Sequence, residues 1–282
     1  MKTFLIRIGF CLCIVLLFDV AYVFLVGGNL RTYAKKYFDF PGDIQVLVLG
    51  DSHANRAWFS NTDKKVYNFA HGSDNIFDMR QKFMFAAEHN EGGTKKFVVL
   101  PFDAYLISPY RELKQNNRIN NVLNHPYLNK HVVNALPLIF DPDTGFDLKR
   151  YFLSFYKKQT DADRFFSRPH ATARFQDQFP DSLKSKKLLV EYQELIKSIR
   201  DKGYQIIAVK YPVHPFYDSL TQADPRSRSL NRAIDSLARA NNLTVSDFSH
   251  HIQTPDLFLD QDHVNKEGSL IFVTEFKKAF AQ

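Results

Sequence analysis

Three residues that together can perform acyl-transfer chemistry lie at opposite ends of this sequence. Ser52 follows the short apolar run Gln45–Leu49, and Asp260 precedes His263 by three positions near the C-terminus. A serine hydroxyl is a weak nucleophile until a base takes its proton, and that base needs a third group to fix its tautomer. A turn that begins a helix can bring Asp260 to the ring nitrogen of His263 that does not face Ser52. The sequence therefore offers a nucleophile, a base and an orienting acid.

Each of these residues also has an ordinary explanation when it is taken singly, as a turn serine, a turn acid and a surface histidine. A metal site is the main chemical rival, because His250, His251, Asp260, Asp262 and His263 cluster in sequence. Their spacing matches no typical ligand pattern, and a mixture of carboxylates and imidazoles selects no particular metal. We expect neither a metal nor a cofactor.

The elements that must position these residues alternate along the chain. Short β-branched and apolar runs predict strands at 45–49, 65–68, 96–100, 204–210 and 243–247. Apolar residues at helical spacing predict helices at 76–89, 186–200, 226–241 and 267–280, the first of them capped by Ser73 or Asp74. Such alternation predicts an α/β fold with a parallel sheet covered by helices on both faces. In an open parallel sheet the ligand site lies outside the carboxyl ends of the strands, where Ser52 falls.

The alternation stops between Tyr105 and Ser185, where Tyr, Phe, Asn, Arg and Lys are abundant. This tract is too long for a plain loop. We interpret residues 106–185, approximately, as an inserted, partly helical, basic and aromatic subdomain or lid over the strand ends.

The first segment has the character of a membrane anchor. Gly9–Val26 is apolar apart from Asp19 and is long enough, as a helix, to span a bilayer. A cleavable signal peptide is the competing account. We expect an anchor at residues 1–28, a juxtamembrane linker at 29–41 and one domain at 42–282, placed outside the cytoplasm. Asp19 is either a contact for another membrane protein or a tolerated single acid.

Composition excludes some functions. Hydrophobic residues make up 45% of the chain and charged residues 24%, which is typical of a globular protein. Both cysteines, Cys11 and Cys13, fall in the apolar N-terminal segment, so the predicted domain cannot be a cysteine hydrolase. The net charge of +7 suits anionic partners, but positive charge without a recognisable module is thin support for nucleic-acid binding.

Gly50-Asp51-Ser52 after the first strand, with Asp260-x-x-His263 close to the C-terminus, resembles the SGNH, or GDSL-type, hydrolases. The resemblance covers residues 42–282, with the inserted tract as an addition. It implies a flavodoxin-like parallel sheet, with Ser52 as nucleophile, His263 as general base and Asp260 as orienting acid. It also implies that the backbone N–H of Ser52 is one donor to the oxyanion.

Two departures from the family pattern concern the oxyanion hole. The second block of the family spaces an asparagine four residues before a glycine, whereas here Asn68 leads to Gly72 and Ser73 with the glycine one position early. Either backbone N–H can serve as a donor. The third block normally supplies an asparagine side chain, but this chain has Asp103, which opposes a developing oxyanion when it is ionised. Protonation, an orientation away from the oxyanion, or a hydrogen bond to a substrate hydroxyl would each reconcile Asp103 with activity.

A membrane segment followed by an SGNH-like domain resembles proteins that move or remove O-acyl groups on extracytoplasmic polymers, often beside a multispanning acyltransferase. We therefore expect a membrane-anchored serine esterase or acyltransferase whose substrate is an acylated glycan or cell-surface polymer. The alternative is a binding or accessory protein that keeps the fold and has lost part of the oxyanion hole.

Overall fold

The computed structural model describes residues 7–10, 13, 14, 17, 27–92, 95–112, 114, 116, 166–180 and 183–280. Contacts divide the chain into one unit of Met1–Phe40 with Arg118–Tyr156 and a second of Pro41–Asn117 with Lys157–Gln282. In the first unit the structure describes helix α1, Gly27–Phe38. The expected span Gly9–Val26 and the middle of the inserted tract lie mostly outside the described residues. Among the described residues, no helix is both long and apolar enough to cross a bilayer.

The second unit is built on a parallel five-stranded sheet. Its strands are β1 Val46–Val48, β2 Val66–Asn68, β3 Phe97–Pro101, β4 Gln205–Lys210 and β5 Val245–Asp247. All pairings are parallel and the spatial order is β2-β1-β3-β4-β5, as in flavodoxin-like folds. The predicted parallel sheet is therefore confirmed.

Helices connect and cover these strands. They are α2 Ser52–Ala57, α3 Ile76–His89, α4 Pro109–Glu112, α5 Arg168–Gln178, α6 Lys186–Asp201, α7 Pro215–Ala223, α8 Pro225–Ala240 and α9 Lys266–Phe280. Short 3-10 turns lie at Ala104–Ile107 and Pro255–Leu257. Val98, Val99 and Leu100 are all fully buried, and since successive strand residues point to opposite faces, both faces of β3 are covered.

Helix α3 has the predicted bounds, but its N-cap is neither Ser73 nor Asp74, so the predicted cap was wrong. Asn75 is the N-cap, because its side-chain oxygen accepts from the N–H groups of Phe77 and Asp78, while Asp78 accepts from the backbone of Asn75. Asp74 instead forms a buried ion pair with Lys82. Ser73 has a positive φ of 69°, which belongs to a turn and not to a cap.

A cluster of buried side chains packs helices α2 and α9 against one face of the sheet, with Val48, Val99 and Val209 on the sheet side. Trp58 packs edge-to-face against Phe272 and Phe276 of α9, with ring centroids 5.7 and 4.8 Å away. These aromatic contacts fix the short helix α2 against the last helix. The segments that carry the candidate site residues near both ends of the sequence are thus held on one rigid base.

Candidate active site

Ser52 lies where the sequence places it, at the first residue of α2 beyond the carboxyl end of β1. The preceding Gly50 has a φ of +142°, and a β-carbon there would lie 2.5 Å from the methyl group of Ala54. Only glycine allows the chain to turn this tightly between strand and helix. The serine is thereby set at the edge of the sheet.

Asp51 is buried beneath this turn and holds it through hydrogen bonds. Its carboxylate accepts the backbone N–H of His53 at 3.0 Å and the hydroxyl of Tyr105 at 3.0 and 2.9 Å. Arg111 places a guanidinium nitrogen 3.5 Å from it. Burial alone would raise the pKa of Asp51, but the charges of His53 and Arg111 and these hydrogen bonds hold it below its usual value. Asp51 therefore stays ionised and anchors the loop.

Asp260 and His263 form the pair that their spacing predicts. The Nδ1 atom of His263 lies 2.9 Å from each oxygen of Asp260. Asp260 Oδ1 also accepts the backbone N–H groups of Asp262 and His263 at 3.0 and 2.9 Å, which closes the turn. The Nε2 atom of His263 is buried and has no hydrogen-bond partner among the described residues. An imidazole whose Nδ1 is held by a carboxylate and whose Nε2 is unpaired has the arrangement that a general base requires.

The two ends of the sequence meet at this point. The ring of His53, the residue after Ser52, packs edge-on against the ring of His263, with centroids 5.2 Å apart. The turn carrying His263 is closed by a bridge between Phe258 and Val264. The structure thus brings the segment of Ser52 beside Asp260 and His263.

Asp262 is a second carboxylate in this site, and it is not one of the three residues predicted to form the triad. One of its oxygens lies 3.2 Å from Nδ1 of His263. Its other oxygen lies 3.1 Å from Nε2 of His53 and accepts from Arg174 at 2.8 Å and Gln178 at 2.9 Å. Burial alone would raise the pKa of Asp262, but the charges of His263 and Arg174 and the bond to His53 hold it well below its usual value. Asp262 ties both histidines to helix α5.

Asp103 and His53 are buried titratable groups on the same side of the site. Burial raises the pKa of Asp103 to about 7, partly offset by the charge of His53. Burial would lower the pKa of His53, but Asp51 and Asp262 raise it above its usual value. Asp103 Oδ1 accepts the backbone N–H of Tyr211 at 3.3 Å, while its Oδ2 finds no partner in the described part of the chain.

The predicted oxyanion residues of the second block are placed differently from one another. The Asn68 side chain bonds the carbonyl of Asn55 at 3.2 Å and the N–H of Ala70 at 3.2 Å, so it serves to hold the loop. At Gly72 a β-carbon would meet no atom within 4 Å, so that side of the residue is not packed, while its carbonyl accepts from the side chain of Asn116 at 3.2 Å. The predicted roles of Asn68, Gly72 and Ser73 in the oxyanion hole stay predictions.

The possible metal ligands that the structure brings together differ from the cluster that the sequence suggests. Ligand atoms of His53, Asp262 and His263 lie within 4.8 Å of one another. His250 instead pairs with Asp218 at 2.7 Å. Asp262 is already bonded to two positively charged or donor side chains of α5, Arg174 and Gln178, which compete with a metal ion for its oxygen.

The sequence indicates Asp262 only as a possible metal ligand, and not as the centre of this polar network, because its partners are remote. His53 and Arg174 lie 209 and 88 residues away from it along the chain. The signal that was present is the second acid within Asp260-Gln261-Asp262-His263, directly beside the candidate base.

Comparison with known proteins finds remote similarity to solved structures. No family model matches the sequence, and no curated protein matches it. A GDSL-like lipase from Bacteroides thetaiotaomicron has 11% identity and a TM-score of 0.46, with 89% of this chain and 96% of that chain covered. A candidate acylhydrolase from Bacteroides fragilis has 12% identity and a TM-score of 0.44, with 89% and 95% covered. At such low identity and TM-score, these similarities assign no activity to the chain.

Proposed function

We propose that this protein is a serine esterase or acyltransferase that acts on O-acyl groups through an acyl-serine intermediate. The observation that carries the proposal is the state of His263, whose Nδ1 is held by Asp260 while its buried Nε2 is unpaired among the described residues. This imidazole lies beside the segment that begins with Ser52. A base so oriented next to a serine at a helix start favours nucleophilic catalysis.

In the proposed reaction, Ser52 Oγ attacks the acyl carbonyl carbon and His263 Nε2 takes the hydroxyl proton. The tetrahedral intermediate then collapses, the ester C–O bond breaks, and His263 returns the proton to the departing alkoxide. Water or a second hydroxyl group then attacks the acyl-serine ester, again with His263 as base, and Ser52 is regenerated. Asp260 keeps Nδ1 protonated and stabilises the imidazolium in both halves.

The proposed oxyanion donors are backbone N–H groups. Ser52 supplies one, and Gly72 or Ser73, in the loop that follows β2, supplies another. A β-carbon at Gly72 would meet no atom within 4 Å. Loss of one such donor typically costs about 10²–10³ in rate. An asparagine at position 103 would donate a hydrogen bond to the oxyanion, whereas an ionised Asp103 would repel it. The proposed reaction therefore depends on the backbone donors more than the reaction of an enzyme with that asparagine.

The substrate class and location of the proposed activity rest on the sequence. We infer that the chain is anchored by its N-terminal apolar segment, that its main domain is extracytoplasmic, and that its substrate is an acylated glycan or cell-surface polymer. The net charge of +7 suits an anionic polymer or membrane surface. Asp19 within the apolar segment is a proposed contact for a multispanning acyltransferase partner.

The test is covalent labelling of the full-length protein with a fluorophosphonate. We expect one adduct, which mass measurement assigns to Ser52, and we expect the Ser52→Ala variant to lose it. Ser236→Ala, a change at an exposed serine on α8, is the matched control and should label like the wild type.

Absence of labelling in a folded wild-type protein would favour the accessory or binding function, for which the acidic Asp103 is the motivating feature. Labelling or ester hydrolysis that disappears with a chelator and returns with a divalent cation would favour a metal site at His53, Asp262 and His263 instead. Hydrolysis of short acyl esters in the presence of chelator, lost in Ser52→Ala, would support the serine mechanism.

A further inference from the structure

A cavity of about 320 Å³ opens beside the candidate triad at the carboxyl ends of β3, β4 and β5. Asp103 follows β3, Lys210 ends β4 and Asp247 ends β5, and all three line it. His53 forms its wall on the side of the candidate nucleophile. Its volume is within the range of small-molecule sites, roughly 300–1,000 Å³.

Two buried polar atoms on this wall are unsatisfied. Oδ2 of Asp103 and Nδ1 of His53 have no hydrogen-bond partner among the residues that the structure describes, although the two side chains are only 9% and 3% exposed. Buried polar groups are nearly always paired, so both atoms point to a missing bonding group. Both residues also line the cavity, which is where such a group would enter.

The chemistry of the two atoms restricts what can bind between them. The other nitrogen of His53, Nε2, is 3.1 Å from an oxygen of Asp262 that also accepts from Arg174 and Gln178. This oxygen of Asp262 can only accept, so Nε2 of His53 carries a proton. Nδ1 of a neutral His53 then accepts a hydrogen bond, and Nδ1 of an imidazolium donates one. A hydroxyl group both donates and accepts, so it can satisfy a carboxylate oxygen and an imidazole nitrogen together.

The rest of the cavity suits several hydroxyl groups on an apolar ring or chain. Tyr105, Tyr211 and Tyr217 supply aromatic surface, while Asn231 and Arg228 of α8 supply amide and guanidinium groups. Aromatic faces pack against C–H surfaces and the polar groups pair with hydroxyls. An aliphatic acyl chain in the same place would leave Asp103 and His53 unpaired in a dry site, which is costly.

We propose that this cavity is a binding site for the hydroxyl-bearing moiety of the substrate, a neutral sugar or polyol, with Asp103 and His53 bonding one of its hydroxyl groups. The assignment deepens the proposed function, on which its catalytic meaning rests, by separating a sugar or polyol site from the place where the acyl carbonyl reacts. It also gives Asp103 a purpose as an acceptor for a substrate hydroxyl.

The experiment measures binding to the full-length protein by ligand-observed NMR titration. The probes are glucose and N-acetylglucosamine as pyranoses, glycerol and ribitol as open-chain polyols, and hexanoate as an acyl-chain competitor. We expect binding of at least one pyranose or polyol, and the two arms show which source of hydroxyls the cavity prefers. Ser52→Ala should bind the same probe as tightly as the wild type, because the serine does not line the cavity.

Asp103→Asn keeps the shape of the side chain and replaces the unpaired oxygen with an amide, so we expect the dissociation constant to rise about tenfold or more. Asn231→Leu, on a helix where leucine is well tolerated, removes a polar group and fills space, and should weaken binding as well. Asp201→Asn, at an exposed acid paired with Lys197, is the matched control and should change nothing. Thermal unfolding verifies that each variant is folded.

Several results would overturn the cavity assignment. These are no binding of any sugar or polyol to the folded wild type, binding that neither Asp103→Asn nor Asn231→Leu weakens, and binding of hexanoate that sugars do not displace. The outcome is separable from that of the catalytic proposal. Fluorophosphonate labelling of Ser52 without sugar or polyol binding refutes the assignment of the cavity alone. Binding without labelling refutes the proposed serine mechanism and leaves a protein that binds a sugar or polyol.

Discussion

At the scale of single residues, the two carboxylates around His263 have different surroundings. Asp260 contacts Nδ1 through both oxygens at 2.9 Å, and its side chain is 26% exposed. Asp262 is fully buried and shares its charge among His53, Arg174 and Gln178. In the described part of the chain, Asp260 bonds to one side chain, His263, and to the backbone of its own turn, while Asp262 also holds three other side chains in place.

We expect Asp260→Asn to lower kcat for ester hydrolysis by roughly 10²–10⁴, with little change in KM, because the imidazole loses its tautomer and its charge stabilisation. The free energy of unfolding should change by less than about 1 kcal/mol, since the lost contact is partly solvated. Ester hydrolysis and chemical denaturation measure the two quantities. Asp262→Asn is the contrasting variant, because it removes the buried negative charge that pairs with Arg174 and leaves an amide nitrogen facing donors on one of its two sides. It should cost several times more stability, about 3 kcal/mol or more, and equal stability losses in the two variants would contradict this division of roles.

Asp103 makes a prediction about pH and stability. Burial raises its pKa in the folded protein to about 7, whereas an unfolded aspartate has a value near 3.8. Between these values the folded state binds more protons than the unfolded state, so stability from this group falls as pH rises from about 4 to about 7 and is constant above. The neutral side chain of Asp103→Asn lacks this dependence.

We therefore expect Asp103→Asn to gain stability relative to the wild type as pH is raised from 5 to 8, by at least about 1 kcal/mol. Urea denaturation at both pH values measures the difference. Asp78 also has a pKa raised to about 7, so the test is the difference between the two proteins and not the slope of either. A stability difference independent of pH would show that Asp103 is not protonated in the folded protein.

At the scale of elements, helix α9 packs unusually closely against the segment that leads into the turn of Asp260 and His263. A β-carbon on Gly268 would overlap the backbone carbonyl oxygen of Leu257 and lie 3.0 Å from the β-carbon of Val264. Asn265 supports the same junction, accepting the N–H of Gly268 and donating its own N–H to the carbonyl of Leu257. The geometry of Asp260 and His263 thus depends on a glycine that touches neither residue.

Gly268→Ala should destabilise the protein by about 2 kcal/mol or more and, in the folded fraction, lower the rate of Ser52 labelling, because the backbone must shift beneath His263. Thermal unfolding and labelling rate are the measurements. Gly72→Ala is the control for stability, since a methyl group there meets no atom within 4 Å. If alanine at 268 were as well tolerated as alanine at 72, the close packing of α9 would not be what positions the turn.

The regular elements could be predicted from sequence because each depends on neighbouring residues. The strand at 97–101 and the helices at 76–89 and 186–201 come within a residue or two of their predicted bounds. The sequence analysis gives no bounds for helix α5, within the tract expected to be partly helical, and does not predict α7. Both have capped starts with proline in the first turn, at Ser167-x-Pro169 and His214-Pro215. Helix α5 has few apolar residues and helix α7 has only 9 residues, so a search for hydrophobic periodicity over longer windows does not find them.

The polar network could not be predicted in the same way. Spacing alone predicts that Asp260 reaches His263, because three residues make a turn. It says nothing of Arg174 or Tyr105, whose partners are fixed by how the helices pack on the sheet. The site is therefore predictable where it is local, and depends on the tertiary structure where it is not.

At the scale of the whole molecule, two properties of the sequence could each hold the protein at a membrane. The apolar segment Gly9–Val26 can partition into hydrocarbon, and the net charge of +7 can bind an anionic surface. The two attractions respond differently to salt. At about 1 M salt the Debye length is only ~3 Å, so electrostatic binding is lost, whereas burial of apolar side chains is not weakened.

We expect the full-length chain to remain with the membrane fraction in ~1 M salt and to be released by detergent. Leu16→Asp combined with Leu17→Asp adds two charges to the middle of the apolar segment, at a cost of about 5–7 kcal/mol for insertion. That double variant should leave the membrane at high salt while retaining the Ser52 labelling of the wild type, because the changes lie outside the unit that contains the candidate site. Release of the wild-type protein by salt alone would show that its charge, and not the apolar segment, attaches it, and the anchor would then have to be abandoned while the proposed chemistry stands.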